Sequence, residues 1–364
     1  EAGPCVDAGL RDAGARTGGD SDAGPDAGPV VETAAEMVAR IRTDLDPSYD
    51  YEYESARFVP PPGKTLLILG QTVGGINEHV ASFPEQPVPG GWAAYWGIPS
   101  MDGVNRSFLT EQGGTQNHQF LVDTFPESVL QSGLWMVGTW DVAKKTAAGD
   151  YDSVIRNFST WAKATRRPIY LRIGYEFDGP HNELAPGEYV AAYRHIVDIM
   201  RSERVSNVAF VWHSYASQPY QGHALSAWYP GDEYVDWVGI SLFGHMYSSG
   251  VSRELDAVFD FAQTHRKPVM VAEASPINGI SERNVQAWNT WVVNCCSLAY
   301  RRYIRASSFI IENSERFDFP GLSWGDARLQ NNDRVAEARF FETTKPRYLQ
   351  AAPELFEQLG FPAN

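Results

Sequence analysis

Two glutamates, Glu176 and Glu273, each close an apolar, strand-like run that opens on a proline: Arg167-Pro-Ile-Tyr-Leu-Arg-Ile-Gly-Tyr-Glu176 and Lys267-Pro-Val-Met-Val-Ala-Glu273. A carboxylate at the mouth of a buried strand costs free energy unless it is paired or used, so two of them point to two-carboxylate hydrolysis. Period-two alternation puts Arg172, Gly174 and Glu176 on one strand face, and Val269, Val271 and Glu273 on one face of the other. Both carboxyl groups can then enter one cavity at the roughly 5 Å separation that retention of configuration requires. In that arrangement Glu176 is the general acid and base, its pKa raised by its neighbour's charge, and Glu273 is the nucleophile. The plainer reading, a strand-end glutamate paired with Arg172, explains one such residue better than two.

The elements that must position this pair repeat along the chain. Short β-branched runs alternate with amphipathic stretches, which predicts βα units and a parallel sheet. The predicted strands are 65–71, 92–98, 135–140, 168–176, 207–213, 235–243, 268–273 and 307–313. Helices are predicted over 115–131, 151–164, 186–203, 253–265 and 281–299. Eight strands over about 300 residues fit a (β/α)8 TIM barrel, whose chemistry gathers at the carboxyl ends of the strands. Those ends offer Gln71, Trp140, Asp141, Arg172, Trp212, His213, Phe243, His245 and Asn313 beside the two glutamates. Trp140, Trp212, Trp228, Tyr215 and Trp324 are candidate sugar platforms, with core packing the competing role for each. Asp178 and Asn182 can bond sugar hydroxyls or cap the next helix.

Three segments in succession, Arg172-Ile-Gly-Tyr-Glu176-Phe-Asp-Gly179, Trp228 to Ser241, and Lys267 to Glu273, resemble the signatures of glycoside hydrolase family 26. The resemblance spans residues 64 to 345. It implies a retaining β-glycanase of clan A, with Arg172, Glu176 and Glu273 at the family's arginine, acid/base and nucleophile positions. β-Mannan is the substrate expected first, with β-1,3-xylan or β-glucan behind it. A non-catalytic carbohydrate-binding barrel and a glycosidase acting on another glycan are the rival readings. Two departures stand out: Tyr175 occupies the place of the family's histidine before the acid/base, and the strand-6 tyrosine is missing, leaving His245 or Tyr247 to hold the nucleophile. Tyr175, His245 and Tyr247 are accordingly expected at the substrate.

Composition narrows the partners. A net charge of -15 over 364 residues repels nucleic acid and anionic membranes, which favours a neutral polysaccharide or oligosaccharide and a monomer. No 18-residue apolar run exists to span a bilayer. The histidines lack HExxH spacing and no GxGxxG, P-loop or GxSxG motif appears, so no metal, no cofactor and no esterase chemistry is expected. Residues 1–30 repeat Asp-Ala-Gly and predict a disordered acidic linker suited to an exported, secreted or cell-surface bacterial protein, with Cys5 a candidate lipid-anchor site. Residues 31–63 read as a helix and an approach segment, and 64–364 as the catalytic domain. Cys295 and Cys296 read as small core residues of a helix.

Overall fold

In the computed structural model, residues 32–110, 114–138, 141–217, 219–247, 250–280, 285–314 and 324–362 are described, without the side chains of Tyr220 and His245. The expected linker 1–30, with Cys5, lies outside them, as does Trp140. Eight parallel strands close into a barrel: β1 (Thr65–Gly70), β2 (Gly91–Gly97), β3 (Val129–Trp135), β4 (Ile169–Ile173), β5 (Val208–Ser214), β6 (Trp237–Leu242), β7 (Val269–Ala274) and β8 (Ala306–Ile310). Closure is by β1 against β8, from Leu66 opposite Ala306 to Gly70 opposite Ile310. The fold is the expected (β/α)8 TIM barrel.

Its strands are apolar on both faces because both are covered. Leu66, Ile68, Ala93, Val129, Tyr170, Val211, Trp237, Met270 and Ala306 fill the interior. The alternate residues, among them Leu67, Trp92, Leu130, Leu171, Trp212, Val238 and Val271, meet the helices. The helix Asp152–Thr165 buries Ile155, Phe158, Ser159 and Ala162, one stripe at helical spacing. Helix Pro186–Ser202 opens on a proline whose missing N–H costs nothing in the first turn. Ser252 caps the helix Arg253–Thr264 by accepting from Leu255 N at 3.1 Å.

One strand departs from the sequence reading. β3 is Val129–Trp135, not 135–140, and the expected helix 115–131 is a strand Gly114–Gln116, a helix His118–Thr124 and then β3. Pro126 stops the helix, and the small and polar run Gln131-Ser132-Gly133 masks a strand whose polar residues find partners inside the barrel. Gln116 Oε1 accepts from Tyr95 N at 2.9 Å, which moors the hairpin formed by Phe108–Thr110 and Gly114–Gln116 to β2.

The amino ends of the strands are closed by the approach segment. Tyr170 Oη donates to Phe58 O at 2.6 Å, Trp237 Nε1 to Arg57 O at 2.7 Å, and Tyr51 Oη to Lys267 O at 2.8 Å. The rings of Phe58 and Phe361 meet edge to face below the barrel. Cys295 and Cys296 are buried free thiols in the helix Val285–Arg301. Among the described residues, no helix is long and apolar enough to cross a membrane.

Candidate active site

At the carboxyl end of the barrel Arg172 and Glu273 form a buried ion pair, Nη1 to Oε1. Their strands, β4 and β7, face each other across the interior, so the contact spans the barrel. Alternation alone does not bring Glu273 there. Val269 and Val271 point outward to the helices, whereas Met270 and Ala272 point inward. The β6–β7 register then slips by one: Ile240 pairs with Val271, but Ser241 pairs with Glu273. This bulge at Ala272 turns Glu273 inward, which corrects the expectation that Val269, Val271 and Glu273 share a face. The carbonyl of Ala272 is taken from inside by Gln131 Nε2 at 2.7 Å.

Glu176 arrives by a different device. β4 ends at Ile173, and Gly174 at φ +54° begins a turn in which Glu176 itself has φ +53°. A Cβ on Gly174 would lie 2.7 Å from Met136 Cε and 2.9 Å from Tyr189 Cε2, on the outer side of the barrel, so Gly174 does not share a face with Arg172. The left-handed conformation of Glu176 costs roughly 1 kcal/mol, and Asn182 holds it by donating to the carbonyls of Tyr175 and Glu176, both at 2.9 Å.

A donor chain joins the two carboxylates. Arg172 Nη1 also reaches His213 Nδ1 at 3.4 Å, His213 Nε2 lies 3.0 Å from Ser241 Oγ, and Ser241 donates to Glu176 Oε1 at 2.5 Å. Burial and the charges of Arg172 and His181 push the His213 pKa well below its ordinary value. A neutral His213 then accepts at Nδ1 and donates from Nε2, so every bond runs from Arg172 toward Glu176. Burial holds the Glu273 carboxyl above its usual range; Arg172 pulls it down, Glu176 pushes it up, and a hydrogen bond from Tyr95 favours the anion. Tyr95 and Tyr175 lie edge to face at 5.2 Å, with the Arg172 guanidinium 4.8 and 5.3 Å from their ring centres. Gly133 makes room for this cluster: a Cβ there would stand 2.7 Å from Tyr95 Cδ1 and 2.8 Å from Arg172 Nη2.

Of the residues singled out from sequence, Glu176, Glu273, Arg172, Tyr175 and His213 come together here. Trp212 does not reach the cleft; it is buried, stacks on Phe177 and donates to Trp228 O, so it and Trp228 are core, not platforms. Asp178 is also buried, accepting from Ser214 Oγ and Tyr215 N at 2.6 Å each, a clamp between the β4 turn and β5. Desolvation raises its pKa to about 6. Tyr247 donates to Ile277 O in the loop after β7, not to Glu273. His245 falls in the turn Gly244–Tyr247, with its side chain outside the described residues. Gln71, half-buried at the end of β1, has an amide oxygen with no partner among the described residues. Trp324 is half-buried with its ring 4.8 Å from Phe243.

Tyr95, Ser241, Gln131 and His181 were not singled out from sequence. Tyr95 and Ser241 do carry a signal: each is the last inward position of its strand with a side chain, in the series Gly91, Ala93, Tyr95, Gly97 and Trp237, Gly239, Ser241. Tyr95 takes a place beside Glu273, for which His245 or Tyr247 was expected. Among the described residues no cluster of three His, Cys, Asp or Glu could hold a metal ion.

Two carboxyl groups, an ion-paired arginine and a phenol at the mouth of a barrel form an arrangement able to attack and protonate a glycosidic bond. The profile of glycosyl hydrolase family 26 matches residues 111–292, half of the chain, including both glutamates. The chain belongs to glycosyl hydrolase family 26. It is therefore a retaining glycoside hydrolase, and its substrate is a polysaccharide. This family 26 enzyme is 27% identical over 333 residues to the β-1,3-xylanase TXYA of a Vibrio species, covering 84% of this chain and 70% of that one. It is 26% identical to a β-1,3-xylanase of an Alcaligenes species, covering 85% and 69%. Its fold is similar to that of a Cellulomonas fimi endo-β-1,4-mannanase double mutant, with a TM-score of 0.55, 15% identity, and coverage of 89% and 78%.

Proposed function

We propose that this family 26 enzyme is a retaining endo-β-1,3-xylanase in which Glu176 is the acid/base and Glu273 the nucleophile. The observation that carries the substrate is the similarity in sequence, over more than four fifths of the chain, to two β-1,3-xylanases. Likeness to the mannanase is one of fold, at 15% identity, so β-mannan, expected first, gives way to β-1,3-xylan. Export, expected from the composition of residues 1–30, fits an enzyme whose substrate is a polysaccharide.

In the first step the Glu273 carboxylate bonds to the anomeric carbon as Glu176 gives its proton to the departing glycosidic oxygen. In the second, Glu176 takes a proton from water, whose oxygen replaces Glu273 on that carbon, and configuration is kept. Arg172 and Tyr95 orient and stabilise the anionic nucleophile. Among the described residues expected from sequence to bind substrate, Gln71, Tyr175 and Trp324 are the ones to meet sugar.

Reducing-sugar release across β-1,3-xylan, β-mannan, lichenan, laminarin and cellulose tests the reading. Turnover of β-1,3-xylan with short oligosaccharides as early products is expected. Release from mannan but not from xylan would sink the substrate assignment and leave the chemistry standing.

A further inference from the structure

We propose that His181 holds, jointly with Glu176, the proton that the reaction consumes, and so acts as a positioning residue for the acid/base. This rests on the acid/base role of Glu176. His181 stands in the loop after β4, its side chain 43% exposed, with Nε2 at 2.8 Å from Glu176 Oε2. The inner oxygen, Oε1, is occupied by the buried Ser241. Oε2 is therefore the oxygen that a glycosidic oxygen meets, and the imidazole is already there.

The placement is built by the loop. Gly179 N donates to Glu176 O at 2.8 Å and Asn182 N to Gly179 O at 3.1 Å, folding the chain back over the carboxylate. A Cβ on Gly179 would lie 2.4 Å from His181 Cε1 and 2.9 Å from its Nδ1, so only glycine lets the ring lie where it does. The Tyr215 ring, at the end of β5, meets the imidazole edge to face at 5.3 Å. The charged and titratable groups facing His181 are Glu176 and Asp178 from its own loop, His213 and Tyr215 from β5, and Glu273 from β7. Burial opposes the charged imidazole, yet the hydrogen bond to Glu176 and the three carboxylates outweigh it and raise the His181 pKa.

The proton moves within the pair, from Nε2–H with an anionic Oε2 to a neutral Nε2 with a protonated Oε2. It then passes to the leaving oxygen as the C1–O bond breaks, and water returns one in the second step. Two bases that share a proton release the last one at a pH no lower than either would alone. Removing His181 can therefore only move the alkaline limb of activity downward.

Three variants test this against wild type: His181→Gln, which keeps an N–H donor but binds no proton, His181→Ala, and Gly179→Ala, which pushes the ring aside. The alkaline limb of kcat/KM on β-1,3-xylan should fall by about one pH unit in all three, with thermal stability unchanged. NMR titration of the His181 imidazole gives a readout that needs no substrate. Its pKa should drop toward the ordinary histidine value in Glu176→Gln. An unmoved alkaline limb in His181→Gln, or identical imidazole titrations in wild type and Glu176→Gln, overturns the proposal. If Glu176→Gln retains full xylan turnover, the acid/base role fails instead, and the imidazole titration still decides whether the pair exists.

Discussion

The Gln131 side chain on β3 donates to the carbonyl of Ala272 on β7 at 2.7 Å, and that carbonyl belongs to the bulge that turns Glu273 into the barrel. Gln131→Leu leaves a buried carbonyl unpaired, a cost of about 1–3 kcal/mol. We expect a lower melting temperature together with a fall in kcat at nearly constant KM, because the nucleophile loses its aim more than the cleft loses its shape. A destabilised variant with undiminished kcat would show that the bulge holds without this bond.

Glutamine in place of either glutamate should nearly abolish xylan hydrolysis, but the two variants should differ in stability. Glu273→Gln removes the anion paired with the fully buried Arg172 guanidinium, and breaking such a pair costs on the order of 3–5 kcal/mol. Glu176→Gln keeps an oxygen for Ser241 to donate to and should melt close to wild type. Glu176→Gln should also keep most of its kcat/KM on aryl glycosides whose leaving group needs no proton, which reports the first step, while kcat falls because no base activates water in the second. Melting curves and both assays on the two variants check the assignment, and exchanged phenotypes would reverse it.

Gly133→Ala places a methyl group against Tyr95 and Arg172, the two residues that hold Glu273. Displacing them by a fraction of an ångström should lower kcat roughly tenfold or more while the protein still folds. Wild-type kcat in this variant would mean that the pair tolerates a looser nucleophile.

Burial raises the folded pKa of Asp178 to about 6 from the ordinary aspartate value of about 4. Between those two pH values the folded state binds more protons than the unfolded one, so this group's contribution to stability falls as pH rises from about 4 to 6. Asp178→Asn removes that dependence. The melting temperature of the variant should gain on wild type across this interval and run parallel to it above pH 7; a gain at lower pH only, or none, would contradict the buried anion as its cause.

The barrel is legible in local pattern, because a strand buried on both faces needs only apolar runs, and a helix over it needs only one stripe. The runs that end in Glu176 and Glu273 name the two carboxylates for the same reason, since charge at the end of such a run is costly unless used. Where Gln131, Ser132 and Gly133 interrupt the apolar pattern, β3 is misread, for their partners Ala272, Trp96, Tyr95 and Arg172 are distant in the chain. The aim of each carboxylate depends on more than alternation. Glu273 is turned in by a one-residue slip between β6 and β7, and Glu176 by a left-handed turn that Asn182 secures. The first is set by a bond between segments far apart in the chain, the second by a loop that closes on itself over six residues, and neither follows from strand alternation. The Arg172, His213, Ser241 chain likewise links three strands: residue type limits what each can do, but tertiary contact decides which of them do it.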